Sequence, residues 1–347
     1  MILLGLVPVA ASVMLALASG GLSRHLAPAT AVPLLTLLAL ATSLATGLAL
    51  CLAAFGAVAQ LPFLADRAGW SVGVLAPGNL EPGWGVLPGA IAAALLTAAL
   101  IFTIRAARDL ARAGRACRQL GGLDRLVITH DDRPTAYSVP TRAGAIVVST
   151  GMLRLLSADE RRALLAHEDS HLRHRHALYV LLADLAAAAN PLLRPLAGRV
   201  RLAVELQADE DAVAEIGDRR AVARALARAS LAVSAAGPGP RGSLAAPAAG
   251  SGPRGSLAMA QTDACARIRA LTEPRHRRRR SWAVAAALLL ILASSTTALT
   301  MTWAMHQRIE AAQLVYAQSH SPSPLTPAAG RPAPGLAPPL QPTGAAD

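Results

Sequence analysis

The sequence predicts a multi-pass α-helical membrane protein that carries one α+β, mainly helical domain. Of the 347 residues, 53% are hydrophobic and only 3% are aromatic, and the mean hydropathy is +0.41. This composition excludes an ordinary soluble enzyme and a disordered chain. The apolar residues gather in four long runs, whereas most charged residues lie between the third and fourth runs. The chain therefore divides into membrane helices and one central polar domain.

Each of the four apolar runs is close to or above the ~20 residues that cross a bilayer core of ~30 Å. We predict three transmembrane helices within residues 1–104 and a fourth at 281–304. The first three are expected at about residues 2–18, 31–59 and 87–104. The first run also resembles a secretory signal, because Ala-Leu-Ala-Ser is typical of a cleavage site, although no basic residue precedes it. Whether this helix is retained stays open.

The distribution of arginine predicts the orientation. All 33 basic residues are arginine, and 29 of them lie in residues 105–280, beside 17 of the 21 acidic residues. These arginines cluster where the third helix ends and where the fourth begins, and basic residues near helix ends stay in the cytoplasm. We therefore expect a plasma-membrane protein with a cytoplasmic central domain and both termini extracytoplasmic. The same arginines are expected to contact anionic lipid headgroups.

Two segments near the C-terminus are not expected to fold independently. Residues 305–347 are rich in Pro and Ala and predict a disordered extracytoplasmic tail. Residues 236–280 combine a Gly/Pro-rich insert with an Arg-rich juxtamembrane segment. The insert repeats Gly-Pro-Arg-Gly-Ser-Leu-Ala at 239–245 and 252–258, which we interpret as a flexible linker. Its proteolytic processing is left open. The three cysteines are too few for a disulfide framework.

Residues 105–235 are expected to form the folded domain, which opens with an Arg-rich helix. Short β-branched runs then predict three strands, at Leu126–Thr129, Ala136–Val139 and Ala145–Ser149. Ser157 to Glu160 reads S-x-x-E, a capping box that predicts the start of a helix. The apolar run from Ala177 to Ala189 is too short to span a bilayer and predicts a buried or interfacial helix.

The capped helix carries an H-E-x-x-H motif, His167 to His171. Residues four apart share a helix face, so both imidazoles can bind one metal ion while Glu168 reaches a metal-bound water. Zinc suits these ligands, and a catalytic zinc needs a third protein ligand. A second helix, predicted at residues 198–215, offers Glu205 as that ligand and Asp209 as an acceptor that orients a ligand histidine. We therefore predict one Zn²⁺ per chain.

Other interpretations of these residues exist. His167, Glu168 and His171 also fit a solvated charged helix face, but chance does not easily add the capped helix and the later E-x-x-x-D pattern. His174 and His176 alternate with arginines. We interpret these two histidines as basic surface that faces lipid headgroups rather than as further ligands.

At these residues the chain resembles the BlaR/MecR-type integral-membrane zinc metallopeptidases and, more distantly, the HtpX-type and CaaX prenyl-protease group. The similarity runs from about Ala136 to Leu226 and includes Ala-His-Glu-Asp-Ser-His and Glu-Leu-Gln-Ala-Asp. Three helices before the domain and one after it also match the BlaR/MecR layout. The resemblance implies a zincin-like, gluzincin-type peptidase domain with His167, His171 and Glu205 as zinc ligands and Glu168 as general base.

Two features depart from this family. Asp169 stands where the metalloprotease pattern prefers an uncharged residue. The antibiotic sensors of the family carry a large extracellular penicillin-binding domain after the fourth helix, whereas a short Pro/Ala-rich tail follows here. Recognition of β-lactams is therefore not implied.

The leading hypothesis is a zinc-dependent endopeptidase that cleaves peptide bonds at the cytoplasmic face of the plasma membrane by zinc-activated water. An extended protein or peptide substrate is expected to pair with the edge of the strand Ala145–Ser149. One alternative is a signal-transducing, antirepressor-type protein that acts on a cytoplasmic transcriptional repressor. Another is a catalytically inactive membrane scaffold. Nucleic acid is not an expected partner, because aromatic residues for base stacking are scarce.

Overall fold

A computed structural model describes residues 2–75, 86–119, 125–140, 144–235, 256–272 and 281–320. The first helices are α1 (Ile2–His25), α2 (Pro28–Val58), α3 (Pro62–Ala68), α4 (Val72–Leu75) and α5 (Val86–Gln119). Strands β1 (Leu126–Thr129), β2 (Ala136–Val139) and β3 (Ala145–Ser149) follow. The remaining helices are α6 (Thr150–Leu155), α7 (Ala158–Arg173), α8 (His176–Ala189), α9 (Arg194–Ile216), α10 (Arg219–Ala235), α11 (Ser256–Thr272) and α12 (Ser281–His320).

Four of these helices, α1, α2, α5 and α12, contain segments long and apolar enough to cross a membrane. This agrees with the four predicted spans, although three of the helices run further than the predicted spans. α1 ends at His25 rather than near residue 18. α5 continues without interruption from its apolar part through the Arg-rich segment to Gln119. α12 continues to His320, so residues 305–320 differ from the predicted disordered tail. Residues 321–347, the rest of that predicted tail, lie outside the described residues.

Apolar packing accounts for the extra length of α12. Ala312 is buried in a cluster with Leu75, and Ile309 and Trp70 pack against that cluster. The backbone amide of Ser71 donates to the carbonyl oxygen of Ala312 at 2.9 Å. The connection between α2 and α5, which contains α3 and α4, therefore holds the end of α12 as a helix.

Helices α8 and α9 form a hairpin that enters the bundle of spanning helices. A 3₁₀ turn at Pro191–Leu193 joins them, and α8 forms where the sequence predicted a buried or interfacial helix. Leu193 and Leu196 of the hairpin are fully buried in the main apolar cluster, which also contains Leu15 of α1 and Leu35 of α2. The hairpin therefore belongs to the membrane bundle as well as to the polar domain.

A polar contact fixes the tip of this hairpin. The Asn190 side chain donates to Ser12 Oγ at 2.8 Å and to Thr46 Oγ1 at 3.3 Å. Both acceptors lie well inside their spans, and all three residues are buried. The 14 residues of α8 extend about 21 Å at 1.5 Å per residue. The end of α8 therefore lies among the candidate spanning helices, about 21 Å from its start.

The three strands have the predicted bounds but a different arrangement from the expected one. Their order is β1-β3-β2, with β3 parallel to β1 and antiparallel to β2. Because β3 is paired on both sides, the expected pairing of a substrate with the edge of Ala145–Ser149 is wrong. In the described part of the sheet, β2 is the edge strand next to α7.

The start of α7 follows the predicted capping box. The Ser157 hydroxyl accepts a hydrogen bond from the Glu160 backbone amide at 3.4 Å, and the Glu160 carboxylate accepts one from the Ser157 amide at 2.9 Å. Glu160 is buried and also accepts a hydrogen bond from Arg228 at 2.8 Å. The capping box fixes where α7 begins, and α7 packs along α9. This packing brings together the two helices that carry the predicted site residues.

Candidate active site

The structure brings the three predicted metal ligands together. His167 and His171 lie one turn apart on α7, and their Nε2 atoms are 3.1 Å apart. Glu205 of α9 faces them, with Oε2 3.6 Å from His167 Nε2 and Oε1 3.7 Å from His171 Nε2. In the described residues these three side chains are the group of potential ligands that converges on one point, with one ligand atom from each within 4.8 Å of the others.

These separations fit a zinc ion. Two nitrogen ligands at 2.0–2.1 Å from one tetrahedral zinc are separated by roughly 3.4 Å. The observed separations lie close to this value, so a small adjustment of the side chains suffices to place all three at bonding distance. Two histidines and one carboxylate are also the donor set of a class of catalytic zinc sites that keep a fourth position open. The residues present therefore fit the metal that the sequence predicts.

Glu168 is placed for proton transfer beside this cluster. It is only 8% exposed, and it interacts with the hydroxyl of Ser138 on β2. Burial raises the pKa of Glu168, and the charge of Glu205 acts in the same direction. A raised pKa brings a carboxylate closer to the neutral range in which it can accept and then release a proton.

Asp209 occupies the position predicted for an orienting acceptor. Its Oδ1 lies 3.0 Å from Nδ1 of His167, the ring nitrogen opposite the one that faces the cluster. A histidine that binds a metal through Nε2 carries its proton on Nδ1 and donates it to such an acceptor. The carboxylate is thus positioned to fix the tautomer and the ring angle of His167.

Arg267 of α11 is a member of the site that the sequence analysis missed. Its guanidinium donates to Asp209 through Nε at 2.8 Å and through Nη2 at 2.6 Å. Its Nη1 lies 2.7 Å from Glu205 Oε2. Residues 256–272, which the sequence placed in the insert and juxtamembrane segment, therefore form a helix that packs on α9 and α10. This helix completes the site.

Arg267 and the two carboxylates set the charge state of the cluster. Burial opposes ionisation of Glu205 and Asp209, yet Arg267 keeps the pKa of both carboxyls below their usual values. Burial alone lowers the pKa of His167, but hydrogen bonding to Asp209 and Glu205 raises it to about 10. Burial lowers the pKa of His171 to about 3. In the metal-free site His167 is thus the histidine that carries a second ring proton, and a metal ion bound at Nε2 displaces that second proton while Nδ1 keeps its own.

We expect Arg267→Met to destabilise the protein by about 3–5 kcal/mol, because removing one partner of a buried ion pair leaves the other charge uncompensated. Zinc supplies a replacement positive charge, so the loss is expected to be larger without zinc than with it. Thermal unfolding of the purified variant with chelator and with zinc measures both effects. Arg269→Met, an exposed position on the same helix, is the control. Equal losses with and without zinc would contradict the prediction.

The structure corrects the interpretation of one of the two neighbouring histidines. His176 was expected to be basic surface, but its side chain is 1% exposed and its ring lies edge-on against His171. His174 is partly exposed and pairs with Asp211 at 3.0 Å. The alternation with arginine suggested two surface residues, whereas the chain turns sharply between α7 and α8 and buries the second one.

Comparison with known proteins gives a match in this region. The matched family model is that of Peptidase family M48. It covers residues 105–197, which contain Glu168 and both histidines of the cluster but neither Glu205 nor Arg267. The matched part of the chain therefore holds the H-E-x-x-H motif. Glu205 and its partner Arg267 lie beyond it.

Several curated proteins to which the chain is similar are protease HtpX homologs. The protease HtpX homolog of Aeropyrum pernix is 38% identical over 71 residues, which are 20% of this chain and 22% of the relative. That of Paraburkholderia phytofirmans is 30% identical over 140 residues, 30% of this chain and 49% of the relative. That of Streptococcus gordonii is 30% identical over 80 residues, 22% of this chain and 27% of the relative. The chain spans about half or less of the length of these relatives. No solved structure matches it.

These matches, together with the four apolar helices, support a membrane metallopeptidase. They agree with the more distant of the two resemblances, the HtpX type, and do not specifically show the BlaR/MecR type. They also lend no support to a transcriptional repressor as a partner.

Proposed function

We propose that this chain is a zinc-dependent endopeptidase that acts at the cytoplasmic face of the plasma membrane. The observation that carries the proposal is the convergence of His167, His171 and Glu205 beside the buried carboxylate of Glu168. The match to the M48 family supports the same activity.

In the proposed mechanism each residue has a separate task. His167, His171 and Glu205 hold the zinc ion, and Asp209 orients His167. A zinc ion held by these residues would act as a Lewis acid toward the scissile carbonyl and would lower the pKa of a water toward ~7. Glu168 accepts the proton of the attacking water and passes it to the leaving amine.

The edge of β2 offers a place for the substrate. An extended peptide that adds to a free sheet edge is held by main-chain hydrogen bonds. Ser138, in the middle of β2, interacts with Glu168, so a peptide paired with this strand lies beside the proposed base. The sheet therefore supports the same mode of substrate binding that the sequence suggested, but on β2 rather than β3.

The burial of Glu168 argues against the scaffold alternative. Burying a carboxylate costs free energy unless the charge is compensated, and a scaffold gains nothing from such a residue next to two histidines. A peptidase needs a base that is shielded from bulk solvent and in contact with the attacking water. The antirepressor alternative has no specific observation in its favour.

Cys265 allows a direct test of the proposed orientation. It is an exposed, free cysteine on α11, the helix that carries Arg267. In a Cys51→Ser, Cys117→Ser variant, a membrane-impermeant maleimide is expected to label Cys265 in inverted membrane vesicles and not in right-side-out vesicles. Labelling restricted to right-side-out vesicles would place the site outside the cell.

The proposed activity is tested with the same preparation. We expect it to cleave an unfolded protein, to lose this cleavage when a chelator is added, and to regain it when zinc is restored.

A further inference from the structure

The two ligand histidines differ in what faces their Nδ1 atoms. Asp209 accepts from His167, whereas within the described residues Nδ1 of His171 does not face a carboxylate. A ligand histidine nearly always donates its remaining ring proton to such a partner, which sets its tautomer and ring angle. This inference rests on the proposed function, because it assumes that His171 binds zinc through Nε2.

The atom that faces Nδ1 of His171 belongs to His176. The two Nδ1 atoms are 3.0 Å apart, and the ring centroids are 5.0 Å apart with the planes at 79°. One nitrogen of this pair must donate and the other must accept. If His171 binds zinc through Nε2, its proton lies on Nδ1, and the acceptor is the lone pair on Nδ1 of His176.

The surroundings hold the His176 ring in this orientation. The residue is 1% exposed, and the ring of His174 stacks on it at 5.6 Å with the planes 22° apart. Gln207 of α9 lies close to it, whereas its Nε2 makes no hydrogen bond within the described residues. His174 is in turn bound to Asp211, which also accepts a hydrogen bond from Ser170 at 2.6 Å. Burial and the stacked ring of His174 thus hold His176 in place.

The backbone between α7 and α8 supports a specific role for this contact. Arg175, the residue before His176, has φ of +53°, the left-handed conformation that residues other than glycine rarely adopt. Such strain persists where the surrounding structure over-determines the geometry, and it is common at functional sites. This turn ends α7 and brings the His176 ring back against His171.

We propose that His176 is a positioning residue for zinc, a neutral imidazole that accepts the Nδ1 proton of His171 and so orients this ligand. The two ligand histidines then have unlike partners: a carboxylate, itself paired with Arg267, orients His167, and an uncharged ring orients His171. Because His176 is also the first residue of α8, the hairpin that enters the membrane bundle begins at the metal site.

The test compares substitutions that keep or move the acceptor. In His176→Asn the amide can place its oxygen near the position of Nδ1, whereas in His176→Gln the longer side chain carries its amide toward the position of Nε2. In His176→Phe the ring is kept and the acceptor is lost. We expect His176→Gln and His176→Phe to weaken zinc binding about 10–100-fold, and His176→Asn to stay within a few-fold of wild type. Zinc affinity is measured by competition with a chromophoric chelator, using the full-length chain in detergent.

His130→Phe is the control, since His130 is an exposed histidine of the same domain. The visible spectrum of the cobalt-substituted protein gives a second measurement, because a change in ligand orientation alters it and a change in overall stability does not. Thermal unfolding of the metal-free variants shows whether each one is folded. If His176→Phe does not fold, the zinc affinities of His176→Asn and His176→Gln still test the role of His176.

The outcomes separate this inference from the proposed function. A wild-type chain that binds no stoichiometric zinc contradicts the proposed function itself. Tight zinc binding by wild type and equally tight binding by His176→Gln contradict only the role of His176. Equal weakening by Asn and Gln shows that the ring acts by packing, and this also overturns the proposal. Weakening by Gln with retention by Asn supports it.

Discussion

Glu168→Gln is expected to remove nearly all peptidase activity while the purified chain keeps about one zinc ion, since the residue is not a ligand. The amide has nearly the shape of the carboxylate but cannot accept a proton from the attacking water. Loss of a general base typically costs about 10²–10⁴-fold in rate. Cleavage of an unfolded protein substrate and zinc content, measured on the same preparation, check both parts of the prediction.

Asp169→Asn is the matched control for this variant. Asp169 is the next residue on α7, and its carboxylate pairs with Arg125 and Arg173 at the surface. Neutralising it is expected to change the rate only slightly, although the metalloprotease pattern prefers an uncharged residue there. Undiminished cleavage by Glu168→Gln would rule out Glu168 as the base. In membranes, a protein that accumulates intact only with Glu168→Gln is a candidate substrate.

Glu205→Ala is expected to abolish stoichiometric zinc binding and, with it, activity. The loss of affinity should exceed the ~10–100-fold that removal of an orienting partner costs, because a direct ligand is removed. Asp209→Asn is expected to fall in that smaller range, since Asp209 reaches the metal only through His167. Zinc affinity of the two variants therefore distinguishes the ligand from the orienting residue.

Glu215→Ala controls for the loss of a carboxylate from α9. Its side chain is 57% exposed, and its pairing with Arg173 is long, at 4.0 Å. It is expected to leave zinc binding unchanged. A result in which Asp209→Asn loses zinc completely and Glu205→Ala retains it would exchange the two proposed roles.

The parts of the site that could be predicted are those set by short stretches of sequence. A capping box fixes the start of α7, and the spacing of His167 and His171 places both on one helix face wherever that helix lies. The three strands follow from β-branched runs between turn residues. In each case the signal extends over a few residues and does not depend on the tertiary fold.

The parts that could not be predicted depend on contacts between distant segments. Arg267 is one of many arginines, and it reaches Glu205 only because α11, which is distant in sequence, packs against α9 and α10. The burial of His176 depends on the left-handed turn at Arg175, for which a non-glycine residue gives no signal. The central position of β3 depends on a parallel pairing with β1 that skips the strand between them.

The position of Arg267 on α11 has a consequence for the order in which the protein is made. A nascent chain acquires His167, His171 and Glu205 well before the ribosome reaches α11. Until then Glu205 and the buried Asp209 of α9 lack the guanidinium that binds them in the finished protein. α11 is followed closely by α12, so completion of the site comes just before α12 is synthesised. The site is therefore complete only when the chain is about to be anchored in the membrane at both sides of its domain.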